Sequence, residues 1–247
     1  SLLLTPELSL TGYPPEDLVL KPSFLNAIEE QVQAFANETG DGGPAVLLGT
    51  PWRENGNLFN AALLLMEGRI EAACYKRELP NYGVFDEKRV FSAGRDMQPI
   101  NFGGVRLGVM ICEDMWGDKV SMSLAAAGAD LFVVLNGSPF DVKKKTARLD
   151  YARERTKEAG LDLVYVNLVG GQDELVFDGD SFVMGSQGIL ARRACSWQDS
   201  VLKTSWKLVK NKWRCQDQDK ITNVANIEEI YRAITLGLRD YVNKNGF

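Results

Sequence analysis

The alternation of apolar runs with helical patterns limits this chain more than any other feature. Val105–Cys112 (VRLGVMIC) reads as a strand and Leu131–Leu135 (LFVVL) as a buried strand. Val120–Ala129 lies between them as a small-residue helix. Val142–Ala159, opened by Asp141, reads as a second helix, and Leu163–Val169 as the next strand. Earlier in the chain, Ser1–Leu8 reads as a strand, Lys21–Thr39 as a helix with Phe24, Leu25, Ile28, Val32 and Phe35 at helical spacing, and Ala45–Leu48 as a short buried strand. Leu58–Met66 with Arg69–Lys76, and Asp180–Gly185 with Ile189–Arg193, read as hairpins. Hairpins among strand–helix units predict an α/β domain with mixed sheets. Pro80–Gly94 reads as loop. Ser196–Asn226, with Trp197, Trp206 and Trp213, shows no clear period. Glu228–Lys244 returns to helix spacing, with Ile230, Ile234, Leu238 and Tyr241 on one face.

The 247 residues contain no histidine. That excludes Ser-His-Asp and Cys-His chemistry and His-ligated zinc, so a hydrolase here needs another proton carrier, and no metal site is expected. Four scattered cysteines, without a C-x-x-C pair, give no disulfide framework and suggest a reducing compartment, with the cytoplasm as the expected location. A net charge of −5 gives no reason to expect nucleic acid or an anionic membrane as partner, and no apolar run is long enough to span a bilayer.

Three residues draw attention by position. Cys112 sits where a strand turns into EDMWGDK and then a helix, a corner whose free backbone N–H groups would favour thiolate and an oxyanion. Glu7, expected at the end of the first strand, could take a thiol proton if shielded from water. Lys76 closes a third strand, where an ammonium could lower the thiol pKa and hold a tetrahedral oxyanion. All three lie at the C-terminal ends of expected strands, where α/β sheets gather their sites.

PEL at 6–8, K-x-x-L-P at 76–80 and CED at 112–114 resemble the Glu–Lys–Cys triad of the nitrilase, or carbon–nitrogen hydrolase, superfamily. PELSLTGYPPEDL (6–18), ELPNYGVFDEKRVF (78–91), GVMICEDMW (108–116) and VGGQDELVFDGDSF (169–182) are similar to the N-terminal glutaminase domains of bacterial glutamine-dependent NAD synthetases. The resemblance implies a four-layer α-β-β-α sandwich. It implies hydrolysis of L-glutamine, with Cys112 as nucleophile, Glu7 as general base and Lys76 on the oxyanion. Tyr82 and Phe85 would line the glutamine pocket, and Glu87 would buttress Lys76. Glu113 would hold the substrate amino group, and Ser138 and Lys144 the far ends of the zwitterion. The resemblance further implies a domain over 1–225 without the family's first strand and helix. Residues 226–247 would form a linker helix leading to a synthetase domain of the same polypeptide. ATP, Mg and deamido-NAD would belong only to that domain, and the assembly would be a homo-oligomer. Two other readings stay open: an amidase of the same superfamily acting on another substrate, and a non-catalytic assembly module.

Overall fold

A computed structural model describes residues 1–219 and 226–247. Its strands and helices follow in chain order: β1 (Leu2–Leu4), α1 (Pro22–Glu38), β2 (Ala45–Glu54), β3 (Asn57–Met66), β4 (Arg69–Tyr75), the single turn α2 (Glu87–Val90), β5 (Ile100–Phe102), β6 (Val105–Ile111), α3 (Lys119–Ala126), β7 (Leu131–Asn136), α4 (Lys144–Ala159), β8 (Leu163–Asn167), β9 (Val169–Gln172), β10 (Leu175–Asp178), β11 (Phe182–Met184), β12 (Leu190–Arg193), β13 (Trp206–Val209), β14 (Lys212–Cys215) and α5 (Asn226–Asn245).

Two sheets carry the fold, one in the order β1-β2-β3-β4 and one in the order β12-β11-β8-β7-β6-β5. Both are mixed: β1 and β2, and β6, β7 and β8, run parallel, while the hairpins run antiparallel. Side-chain alternation along each strand then dictates the layers. On β3, Ala61, Leu63 and Leu65 face α1, whose Leu25, Ile28, Val32 and Ala36 cover them. Ala62 and Leu64 point the other way, onto Leu107, Val109, Ile111, Leu131, Val133 and Leu135 of the second sheet. The second sheet's outer face, including Met110, Phe132, Val134 and Leu163, packs under Val120 and Leu124 of α3 and Ala152 of α4. The order is helix, sheet, sheet, helix: the four-layer α-β-β-α sandwich of the sequence reading.

Several local expectations are corrected. β1 stops at Leu4, and Glu7 lies in the turn that follows. β2 continues well beyond Leu48, because its antiparallel register with β3 runs to Glu54↔Asn57. β8 ends at Asn167, and Val169–Asp178 forms a separate hairpin. Within the stretch read as irregular, β13 and β14 pair around Lys210 and Asn211, both at positive φ, as a two-residue hairpin turn requires. The helix expected from Val142 starts at Lys144. On α5 the face that packs is Glu229, Ala233 and Leu236, not the larger apolar stripe, of which Ile234, Leu238 and Tyr241 remain exposed. Small residues decide this: a Cβ on Gly171 of β9 would lie 3.1 Å from the Gly237 Cα, so backbone packs on backbone there. The expected boundary at 225/226 adjoins residues outside the described ones. No described helix is long and apolar enough to cross a membrane.

Candidate active site

The inter-sheet layer is apolar along its length and turns polar at one end. Ala72 and Cys74 on β4 belong to the inter-sheet core, and the same alternation carries Lys76 onto that face one residue past the strand. On β3, Asn60 continues the face of Ala62 and Leu64. On the second sheet, β6 delivers Cys112 and β7 delivers Gly137, one residue past their last strand residues. Glu7 reaches the same place from its turn.

There the side chains meet. The Lys76 Nζ donates to Glu7 Oε1 and to Glu87 Oε1, each at 2.7 Å, and Lys76 and Glu7 are fully buried. Glu7 Oε1 also accepts from Asn60 Nδ2 at 2.8 Å, and Glu7 Oε2 from the Gly137 amide at 2.7 Å. Glu87 Oε1 accepts a second bond from Tyr13 Oη, 2.8 Å. Burial works against the Lys76 ammonium, but the Coulombic pull of Glu7 and Glu87 outweighs it and holds the lysine well above its ordinary pKa. Burial pushes the Glu87 carboxyl up, with Lys76 opposing.

Cys112 occupies a strained corner. Its φ is +47°, and a short 3-10 turn, Cys112–Met115, follows. Buried Asp114 holds the corner: its Oδ2 accepts from the Ile111 amide at 3.0 Å, and its Oδ1 from the amides of Arg77 and Glu78 at 2.9 and 2.8 Å. One carboxylate thereby ties the nucleophile's turn to the segment after Lys76. The expectation of a thiolate favoured by the corner is overturned. Burial raises the Cys112 pKa well above the thiol norm, and Glu7 adds to it more than Lys76 subtracts. Burial thus works against a resting thiolate, which makes a nearby proton acceptor such as Glu7 a requirement of the attack.

A rim surrounds this buried group. Tyr82 Oη donates to the Glu113 carboxylate, with oxygens at 2.9 and 3.0 Å, and the Tyr82 ring packs edge-on against Phe85 at 5.4 Å. The Lys144 Nζ lies 4.9 Å from the Phe85 ring centroid and 5.7 Å from that of Trp116. Burial lowers the Lys144 pKa; among its titratable neighbours are Cys112 and Glu113. Ser138 is almost sealed, and its polar atoms face a second network. Its amide donates to Asn167 Oδ1 at 2.9 Å, and its carbonyl accepts from Arg148 at 2.8 Å. Its hydroxyl accepts from Arg148 Nε at 3.3 Å. The structure thus gathers Glu7, Lys76, Glu87 and Cys112 in one buried group and Tyr82, Phe85, Glu113 and Lys144 on its rim, while Ser138 is engaged behind them.

Sequence reasoning missed Asn60, Tyr13, Asp114 and the Gly137 amide. Asn60 left one signal, a lone amide in the apolar run LFNAALLLM. A backbone N–H leaves none. Glycine marks the close approach that seats Glu7: a Cβ at Gly49 would lie 2.1 Å from the Pro6 carbonyl oxygen and 3.0 Å from the Glu7 Cα. Gly49→Ala is expected to cost about 1–3 kcal/mol in urea unfolding, with loss of whatever chemistry needs Glu7 in register. A variant with wild-type midpoint and rate would show that the turn shifts freely.

Comparison with known proteins follows the same lines. Residues 1–209 match the family described as carbon-nitrogen hydrolase. The chain is 41% identical over 246 residues to the glutamine-dependent NAD(+) synthetase of Rhodobacter capsulatus, covering 100% of this chain and 44% of that protein. The structure of the glutamine-dependent NAD+ synthetase from Acinetobacter baumannii in complex with ADP superposes with a TM-score of 0.92 at 35% identity, covering 100% of this chain and 46% of that one. An amidase variant from Nesterenkonia sp., carrying the acetamide moiety of fluoroacetamide on its active-site cysteine, superposes with a TM-score of 0.67 at 29% identity, covering 78% of this chain and 73% of that one. The chain spans about half the length of the curated relatives it matches.

Proposed function

The chain belongs to the carbon–nitrogen hydrolase family, and on that premise we propose that its Glu7–Lys76–Cys112 group hydrolyses the side-chain amide of L-glutamine to glutamate and ammonia. The observation that carries the chemistry is the sealed Lys76 ammonium, bonded at 2.7 Å to each of two carboxylates. An ammonium has three N–H donors; two are committed, and the third is left for an oxyanion. Glu7 takes the Cys112 proton as the sulfur attacks the amide carbon, and Lys76 holds the oxyanion. Glu7 returns that proton to the departing amine, which leaves as ammonia. Water, deprotonated by Glu7, then cleaves the thioester, and the proton returns to the sulfur as glutamate leaves.

The rim supports glutamine as the amide. A free amino acid presents an ammonium and a carboxylate beyond its side chain. Glu113 with Tyr82 offers an acceptor pair for the first, and the half-buried Lys144 a cation for the second. The relatives' name, glutamine-dependent NAD(+) synthetase, supports a longer setting, for which we infer that the ammonia is consumed by an ATP- and Mg-dependent synthetase domain of the same polypeptide that amidates deamido-NAD. A cytoplasmic homo-oligomer is the assembly we infer for it.

Ammonia release by this chain from glutamine, set against asparagine and simple aliphatic amides, tests the reading. Glutamine is expected to lead by about 100-fold or more in kcat/KM. Glu113→Gln and Lys144→Met are each expected to raise KM for glutamine, lowering kcat/KM by about 10–100-fold, the worth of one charged hydrogen bond. Both variants are expected to leave turnover of a simple amide unchanged. Equal rates on all amides would remove glutamine as the substrate.

A further inference from the structure

The geometry points to Asn60 as a positioning residue that locks the Glu7 carboxylate, so that Oε2 and not Oε1 receives the Cys112 proton. The inference rests on the hydrolase reading and deepens it.

A carboxylate offers about four lone-pair directions, two on each oxygen. Both on Glu7 Oε1 are occupied, by Lys76 Nζ at 2.7 Å and Asn60 Nδ2 at 2.8 Å. Oε2 accepts one bond, from the Gly137 amide at 2.7 Å, and keeps one direction open. Without Asn60, the carboxylate could turn about its terminal torsion and share Lys76 between its oxygens. With it, the two oxygens have different partners and different work.

The placement of Asn60 has no packing rationale. It stands on the inter-sheet face of β3, where Ala62 and Leu64 are core, and it is completely buried. Its Oδ1 has no protein hydrogen-bond partner among the described residues. A buried amide satisfied at one end only is unfavourable relative to an apolar side chain of the same shape, which leaves the bond to Glu7 as the reason for its presence. The same residue also anchors Lys76, whose amide donates to the Asn60 carbonyl at 2.8 Å. One position on β3 thereby sets the base by its side chain and the ammonium by its backbone, and a side-chain substitution disturbs the first alone.

The charged and titratable groups facing Glu7 are Lys76 beyond β4, Glu87 on α2, Tyr13 in the loop before α1 and Cys112 beyond β6. Asn60→Leu keeps the branched shape, at some added volume, and removes the donor. A carboxylate that loses a donor holds its proton more tightly, so the acid limb of a rate that depends on the ionised base moves to higher pH. The shift expected is about one pH unit. In ammonia release from glutamine, kcat is expected to fall about 10-fold or more with KM within 2-fold. Asn60→Asp serves as second variant should the leucine fail to fold. It puts a carboxyl against a carboxylate and is expected to move the limb the same way and further.

Alkylation of Cys112 by iodoacetamide, followed by peptide mass mapping across pH, gives the same limb without any assumption about substrate. A limb shift in alkylation supports the role of Asn60 even if glutamine is not turned over, in which case the substrate reading alone fails. An unmoved limb in both assays, with rate loss tracking the unfolded fraction, or a defect expressed mainly in KM, overturns it.

Discussion

Lys76→Met is expected to cost about 3–5 kcal/mol of folding stability at neutral pH, the loss that follows when one partner of a buried ion pair is removed. The methionine fits the volume, but Glu7 and Glu87 then lie buried without their shared cation. The pH dependence has a definite sign. Burial has already raised the Glu87 carboxyl, and without Lys76 opposing it the group rises further. The carboxylate's destabilising effect is therefore relieved as pH falls, and the gap between wild type and variant narrows in acid. The wild-type stabilisation from Lys76 itself runs the other way. Its folded-state pKa is raised, so that stabilisation is fully present below the ordinary lysine value of 10.5 and is lost as pH climbs through the higher folded value. Urea unfolding of both proteins at pH 7 and pH 5 checks this. A gap under about 1 kcal/mol, or one that does not change with pH, would mean that water reaches the two carboxylates.

Cys112→Ala carries the opposite signature: activity lost, fold kept. Removing the nucleophile of a covalent mechanism lowers kcat by about 10⁴-fold or more. The side chain is small, and alanine keeps the same strained backbone at φ +47°, so unfolding is expected to change little. Cys112→Ser should be nearly as inactive, since a hydroxyl in a site that already raises the thiol is harder still to deprotonate. The partner measurement is a mass shift at Cys112 with a glutamine-like electrophile, blocked by glutamine. Retained ammonia release in the alanine variant would remove Cys112 from the mechanism. So would a mass shift on Cys195 or Cys215 in its place.

How far such a site can be read beforehand depends on what each residue does locally. Lys76 was legible because it closes a strand whose alternation carries it onto the inter-sheet face, and Cys112 because the apolar run of β6, buried on both faces, ends at a thiol. Glu87 was assigned by its place in the ELPNYGVFDE string, but its direct bond to Lys76 required the fold of residues 77–87, which has no periodicity. The Cys112 ionisation state was misjudged from local sequence. A turn rich in N–H groups suggests thiolate, whereas the largest influences are burial in the inter-sheet core and the carboxylate of Glu7, distant in sequence. The α5 face was misjudged for a related reason. Hydrophobicity favours Ile234 and Leu238, while close approach to the β9–β10 hairpin selects Gly237 and Ala233.

The order of residues alone determined most of the strands and their faces, the absence of any imidazole mechanism, and two polar groups just past strand ends, Lys76 and Cys112, because side-chain alternation and residue chemistry act within a few positions. Only the folded chain decided that Asn60, Gly137 and Asp114 belong to the same site, that Ser138 turns toward Arg148, and that burial and Glu7 work against a thiolate at Cys112. Hydrogen-bond partners and desolvation depend on which segments meet across two packed sheets, and no short stretch of sequence contains both sides of that contact.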